Sequence, residues 1–452
     1  MGIALKIKDN TRTSAATFQP ISRIVDRISD KTLGQLEKEG IFVFPDLIED
    51  AEDITKDEIV LQKVDDCYRS SNVMGFIGLG SERLVIESRF SVGRQDYFFQ
   101  YLLEKILDLP NILSLNTVAN QENHVFDWFV FLFPYYLKFA MRKGAYKTYI
   151  RHEYNNSNVR GVIDIARHVR QNSPFVGRVA YNQREFSYDN DLMELVRHTI
   201  EYIKSQPYGN HLLRQVKDEV DLAISITGNY GYQNRRKIII RNEDNPVRHA
   251  YFREYRTLQR LCLMILRHEK HQIGSGPEHF HGVLFDGAWL WEEYINTLIG
   301  SDFDHPMNKG HKGAQELFST DIRQQGLIYP DFLSKGTQNV VIADAKYKPV
   351  ENIQNKDYLQ VLAYMLRFDA KRGFYLYPER NTDGIGSLNL KLNSGSTYAH
   401  NVQPRNDIEV TKLGLKIPCA RNDGYGYEDF KRDMLQAEQE FVGQLIFNVI
   451  PY

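Results

Sequence analysis

Apolar and polar positions along the chain switch period several times, and each switch predicts an element. From Gly75 to Phe90 the chain reads GFIGLGSERLVIESRF. Its two strand-like runs, Phe76-Ile77 and Leu84-Val85-Ile86, flank a bend at Gly80-Ser81 and predict a hairpin. Ile41–Phe44 reads as a strand, Asp30–Glu39 as a short helix, and Gln95–Leu107 as a helix stopped by Pro110. The stretch from Asn123 to Glu269 reads as mainly helical. Within it, His124–Tyr149 is too densely apolar for a surface stripe and predicts a buried helix pair broken near Pro134. Asp191–Ser205 and Pro246–His268 carry clean helical periodicity.

Beyond a polar boundary at His268–Gly282 the order becomes helix, strand, hairpin, helix, strand. Asp286–Ile299 is the leading helix and Gln315–Ser319 a strand. Ile328–Leu333 and Val340–Lys346 form a hairpin across the turn Ser334–Asn339. Asn355–Lys371 is amphipathic, Gly373–Tyr377 is an apolar strand, and Glu428–Phe447 is a closing helix, with a further strand near Ser387–Asn393. Strand, crossover helix and strand in this order form a right-handed βαβ unit. The fold class is therefore α+β and multidomain. It comprises a β-rich domain over 1–122, a mainly helical region over 123–275 and an α/β domain over 276–452, in keeping with a length of 452 residues.

Composition narrows the class without naming a chemistry. Three well-separated cysteines (Cys67, Cys262, Cys419) exclude a disulfide scaffold and zinc fingers, and point to a reducing compartment. The sequence shows neither a secretory leader nor an apolar run able to span a bilayer, so a cytoplasmic protein without membrane contact is expected. The net charge of −2 is unremarkable, but its distribution is not. Lys138–Arg184 holds ten Lys and Arg against two acids, and Arg235–Lys270 ten against four. Such segregation suits a middle region facing a polyanion, or else the solvated faces of ordinary helices. Tyr146, Tyr149, Tyr181, Tyr251, Phe252 and Tyr255 interleave with these charges, either to stack on bases or to pack a core. Histidines at 268, 271, 279 and 281 sit on the boundary loop without the fixed geometry of a zinc site.

The chemistry concentrates between Ile328 and Tyr377. Side chains at i and i+2 of a strand share a face, so Asp344 and Lys346 point the same way, and the hairpin brings Asp331 beside Asp344. Adjacent carboxylates resist double ionisation unless a cation lies between them. Mg²⁺ fits, with Mn²⁺ as the alternative, because it takes a few carboxylate oxygens and leaves positions for water and phosphate. Asp331, Asp344 and the backbone carbonyl of Ala345 would hold it. Lys346 would orient or deprotonate the attacking water. Asp357, Gln360 and Tyr364 fall at i, i+3 and i+7, on a helix face turned toward the strands. Gln360 there could hold the lysine or the substrate phosphate, with Tyr364 supporting it.

PDF…IADAKYK…KDYLQVLAYM resembles the PD-(D/E)xK nuclease core of the McrC family, the endonuclease subunits of McrBC-type modification-dependent restriction systems. The resemblance extends upstream: GLGSERLVIESRF is similar to that family's N-terminal hairpin, NVRGVIDIARHVR to its R-G-x-I-D-x-x-R segment, and LWEEYI to its leading helix. It implies a restriction-endonuclease-like fold over 276–452. It assigns catalytic roles to Asp331, Asp344, Lys346, Glu292, Gln360 and Tyr364, with Glu292 a further candidate metal ligand. DNA contacts are expected at Arg160, Arg167, Arg170 and Lys348. The implied partners are a hexameric AAA+ GTPase of McrB type, docked through residues 1–122 and stimulated by this chain, and double-stranded DNA, with self-association of the nuclease domain as a further expectation. No Walker motif occurs, so no nucleotide is expected on this chain alone. Two departures stand out: Tyr329 replaces the arginine common before Pro-Asp, and Trp291 a phenylalanine. The rival readings are a stand-alone RecB-like repair nuclease and an adaptor that activates the ring without cleaving.

Overall fold

A computed structural model describes residues 3–44, 57–91, 96–106, 124–206, 208–271, 280–306, 313–319, 324–336, 340–380, 386–395, 401–419 and 424–449. The chain divides into two compact units. One joins Met1–Val118 to Pro277–Tyr452, and the other is Ala119–Gly276. Three consecutive domains were expected. The first and last segments instead share a sheet, because Phe280–Asp286 pairs antiparallel with Val73–Leu79 and parallel with Ile41–Phe44. All seven residues of Val73–Leu79 are buried, as are all four of Ile41–Phe44. Strands without a polar face need cover on both sides, and a segment distant in sequence supplies the missing neighbour.

That five-stranded sheet runs in the order Ile3–Lys8, Glu82–Glu87, Val73–Leu79, Phe280–Asp286, Ile41–Phe44. The predicted hairpin lies at its middle, Leu79 opposite Glu82, with Gly80 left-handed at φ +57° as a two-residue turn requires. Gly75 sits where a Cβ would lie 2.0 Å from the Val283 carbonyl oxygen, so only glycine lets the two strands approach. Ile21, Ile24, Ile28, Leu36 and Leu284 pack the core on this sheet. The acidic stretch 49–58 lies largely outside the described residues, as do Pro110 and the Gly274–Pro277 boundary.

The second sheet has six strands in the order Phe303–Asp304, Phe332–Ser334, Val341–Ala345, Arg372–Arg380, Gln403–Ile417, Leu388–Ser394. Val341–Ala345 and Arg372–Arg380 are parallel and joined by the helix Asn355–Arg367, the βαβ unit read from the sequence. The expected strand Ile328–Leu333 is two strands, Gln324–Ile328 and Phe332–Ser334. Pro330, without an N–H, interrupts the ladder between them. The fifteen-residue strand Gln403–Ile417 was not anticipated. Its first half is largely exposed and polar, so only Val410, Leu413, Leu415 and Ile417 betray it. Asp286 caps the leading helix Gly287–Ile299 by accepting the Ala288 N–H at 2.8 Å. The indole N–H of Trp291 donates to the Leu376 carbonyl at 2.9 Å, fixing that helix to the sheet.

The second unit is mainly helical, with a sheet that the sequence reading did not anticipate. The helices His124–Met141, Asp191–Lys204 and Glu254–His271 are joined by a three-stranded sheet whose long members, Thr148–Asn156 and Val179–Ser187, pair antiparallel. Their alternation is masked by polar residues on the exposed face, and helical readings of the flanks carried across them. His124–Met141 is one helix, with Pro134 inside it rather than between two. An internal proline costs about 3 kcal/mol. Complete burial of Phe133, Leu137 and their neighbours offsets that cost. Among the described residues no helix is long and apolar enough to cross a membrane. Of the four boundary histidines only His281 has a described side chain, and it lies against the Phe76 ring.

Candidate active site

Two strands and two helices of the six-stranded sheet bring the predicted residues together. Phe332 pairs with Ala343 and Leu333 with Ile342, so the register carries Asp331 alongside Asp344. The Asp331 Oδ2 accepts the Ala345 N–H at 2.8 Å. Asp344 is fully buried, and its Oδ1 makes no hydrogen bond. Its counter-charge is the Lys346 ammonium, 2.6 Å from Oδ2. Burial raises the Asp344 pKa, and Lys346 opposes the rise. Burial would lower Lys346, but the carboxylates of Asp344 and Asp331 outweigh it and hold the amine above the ordinary lysine value. In this arrangement Lys346 is an ammonium, a donor to whatever approaches the two aspartates.

A relay of side chains fixes that ammonium. Lys346 Nζ donates to Gln360 Oε1 at 3.2 Å, Gln360 Nε2 donates to the Tyr364 hydroxyl at 2.7 Å, and Tyr364 donates to the Tyr329 carbonyl at 3.1 Å. Gln360 and Tyr364 are one turn apart on Asn355–Arg367, and so form one surface. Tyr329, which stands in place of an arginine, contributes through its backbone. Of the two uses considered for Gln360, the geometry supports the hold on lysine. Asp357 shares the helix face but turns to Lys348, which reaches both carboxylate oxygens at 2.7 and 2.8 Å. Lys348, expected at DNA, is thereby engaged within the fold.

Glu292 enters from the leading helix, with its side chain 15% exposed and Oε1 3.6 Å from His305 Nε2. His305 was not singled out from the sequence. Its Nδ1 is 2.8 Å from the Asp331 carbonyl, and its ring stacks on Phe332 at 4.8 Å. It therefore bridges Glu292 to the residue beside the hairpin strand. A lone histidine after a two-residue strand carries no pattern that could have revealed this.

The donor set fits a hard cation in chemistry. Asp344 presents a buried carboxylate, its Oδ1 without a hydrogen bond, beside a second carboxylate, and oxygen-only donors suit Mg²⁺. Among the described residues, no group of three His, Cys, Asp or Glu side chains is gathered as a ready metal cage. A metal there would draw its remaining positions from backbone, water and substrate.

The arginines of the R-G-x-I-D-x-x-R segment belong to the other unit. Asp164 caps the helix Ile165–Gln171 by accepting the Arg167 N–H at 3.0 Å. Gly161 lies where a Cβ would come within 2.1 Å of the Asn182 carbonyl oxygen. Arg167 is buried, donating to the Tyr181 carbonyl at 2.7 Å and pairing with Glu153 at 2.6 Å. Its donors are spent on its own sheet. Arg160 and Arg170 are exposed.

No curated protein matches the chain. Among solved structures, similarity is found to a half-complex of Thermococcus gammatolerans McrB AAA+ hexamers with bound McrC, at 16% identity over 96% of this chain and 99% of that one, with a TM-score of 0.48. A cryo-EM structure of the Thermococcus gammatolerans McrBC complex is similar at 14% identity over 66% of this chain and 87% of that one, with a TM-score of 0.33. The McrBC family model, described as McrBC 5-methylcytosine restriction system component, matches residues 68–378. That span is more than half of the sequence and includes every residue of the candidate site, from Glu292 to Tyr364, so the chain belongs to the McrBC family of 5-methylcytosine restriction system components.

Proposed function

We propose that this chain is the endonuclease subunit of a modification-dependent restriction complex, hydrolysing DNA phosphodiester bonds in a PD-(D/E)xK site. The observation that carries the reading is the cluster of Asp331, buried Asp344 and Lys346, with Lys346 held by Gln360 and Tyr364. Asp331, Asp344 and the Ala345 carbonyl would hold Mg²⁺ or Mn²⁺, with Glu292 as a further ligand. When bound, the metal supplies charge for the phosphate and lowers the pKa of the attacking water. The chain's own contribution is placement. The Lys346 ammonium donates to the water or to a non-bridging phosphate oxygen, and Gln360 keeps it aimed there. The neutralised pair of aspartates lets an anionic backbone enter a pocket that would otherwise repel it. The partner in this reading is a hexameric AAA+ GTPase, a similar structure holding McrB as AAA+ hexamers with bound McrC, and double-stranded DNA is the substrate.

The test mixes the purified chain with an McrB-type AAA+ GTPase, modified DNA, GTP and Mg²⁺, and follows strand cleavage and GTP hydrolysis together. Asp344→Asn is expected to lower cleavage by at least about 1,000-fold, the scale of losing a transition-state charge contact, while GTP hydrolysis remains stimulated. Undiminished cleavage by Asp344→Asn would falsify the site assignment. Stimulation of GTP hydrolysis with no cleavage by the unmodified chain would instead favour the adaptor reading.

A further inference from the structure

The stretch GLGSERLVIESRF ends on an arginine that the reading above leaves without a role. Arg89 is 5% exposed, and both terminal nitrogens of its guanidinium are engaged while Nε makes no hydrogen bond. One terminal nitrogen lies 3.3 Å from Asp9 Oδ2 and donates to Asn72 Oδ1 at 2.9 Å. The other donates to the backbone carbonyl of Tyr347. The group lies 4.6 Å over the Tyr347 ring. Asp9, fully buried, also accepts the Arg89 backbone N–H through Oδ1 at 2.5 Å.

Tyr347 is the residue after Lys346, at the point where the ladder stops. Ala345 is the last paired residue of its strand, and beyond it Lys346 retains one bond to that neighbour, its N–H to the Leu376 carbonyl at 2.8 Å. The grip on Tyr347 comes from the five-stranded sheet and its flanks. Ser88 Oγ lies 2.7 Å from the Tyr347 hydroxyl, and Phe90 packs edge-on against its ring at 5.1 Å. The start of the leading helix closes the other side. At Gly287 a Cβ would lie 2.7 Å from the Tyr347 ring, and the Gly287 N–H donates to the Asn72 carbonyl at 2.8 Å. One buried node therefore meets both the strand end that presents Lys346 and the helix that carries Glu292.

We propose that Arg89, held by Asp9, is a positioning residue for Lys346: by fixing Tyr347 it sets the strand end from which the lysine reaches Asp344 and Gln360. A buried ion pair is a poor stabiliser, because desolvating two charges cancels most of their attraction. Its worth here is geometric, since it immobilises a carbonyl one residue from a reacting group. The inference rests on the nuclease reading of the site.

The experiment measures Mg²⁺-dependent cleavage by the full chain with its GTPase partner, separating kcat from KM for DNA, for Arg89→Lys and for the isosteric Asp9→Asn. Lysine keeps the charge beside Asp9 but cannot also reach the Tyr347 carbonyl, and asparagine keeps the shape but releases the guanidinium. Each is expected to leave KM within about twofold and to lower kcat about 10- to 100-fold, the effect of an ångström-scale misplacement, with the melting temperature lowered but circular dichroism showing a folded chain at the assay temperature. A folded Arg89→Lys or Asp9→Asn with kcat within twofold of the unaltered chain overturns the proposal. So does a loss that accompanies unfolding of both variants or that moves KM as much as kcat, because either assigns Arg89 to the fold alone. Failure of the nuclease reading has a different signature: the unaltered chain does not cut, or Asp344→Asn cuts as well as it does.

Discussion

At the scale of single residues, the site depends on what surrounds its charges more than on the charges themselves. Asp344, Lys346 and Asp331 were legible because strand alternation places i and i+2 on one face and a short turn returns the partner strand. What alternation cannot supply is burial. Asp344 is fully buried, which depends on neighbours distant in sequence, whereas Lys346 is held above the ordinary lysine pKa against its burial by Asp344, two residues away, and by Asp331. Gln360 was read as a holder of either lysine or phosphate, and its 3.2 Å contact with Lys346 supports the first. Gln360→Leu keeps the volume and removes the acceptor, so it is expected to lower cleavage about 10- to 100-fold, the loss of roughly 1.5–3 kcal/mol that a hydrogen bond to a charged group carries. Single-turnover cleavage at saturating DNA checks this. An undiminished rate would leave Gln360 as helix surface. His305 escaped the sequence reading because nothing local marks it, and its place between Glu292 and Asp331 arises from the packing of a helix on a hairpin.

At the scale of elements, propensity and pattern found the hairpin, the leading helix and the βαβ unit, and failed where one pattern overlay another. The strands Thr148–Asn156 and Val179–Ser187 alternate, but polar residues fill their exposed positions and long helices flank them. Glycine positions mark where elements approach closely. Gly75→Ala puts a methyl 2.0 Å from the Val283 oxygen, where neither strand can yield without breaking the ladder. It is expected to destabilise the unit formed by Met1–Val118 and Pro277–Tyr452 by about 2–4 kcal/mol, combining overpacking with a residue forced to positive φ. Denaturant unfolding followed by tryptophan fluorescence tests it, since Trp291 is buried in that unit. A midpoint equal to that of the unaltered chain would mean the strands can part.

At the scale of the whole molecule, the second unit holds a pH-dependent weakness. His198 is fully buried on the helix Asp191–Lys204, both ring nitrogens lack a hydrogen bond, and burial together with Arg235 and Arg197 lowers its pKa to about 4. The folded state thus binds its proton less readily than the unfolded state, whose histidine titrates near 6.5. Stability from this group is complete above about pH 6.5 and is lost as the pH falls toward 4. His198→Leu is expected to flatten the dependence of unfolding on pH in that window, read as melting temperature from pH 7 to 4.5. An unchanged slope would place the acid sensitivity elsewhere.

The sequence by itself determined which residues gather at the candidate site, the order of the motifs and most elements of the six-stranded sheet, because each depends on local spacing that the chain cannot alter by folding. It could not determine that Met1–Val118 and Pro277–Tyr452 form one body, that the buried Arg89 reaches the residue after Lys346, or that Arg167 spends its donors on its own sheet. Those outcomes follow from which buried backbone and charged groups find partners, and a buried polar group takes whichever partner the fold brings within reach.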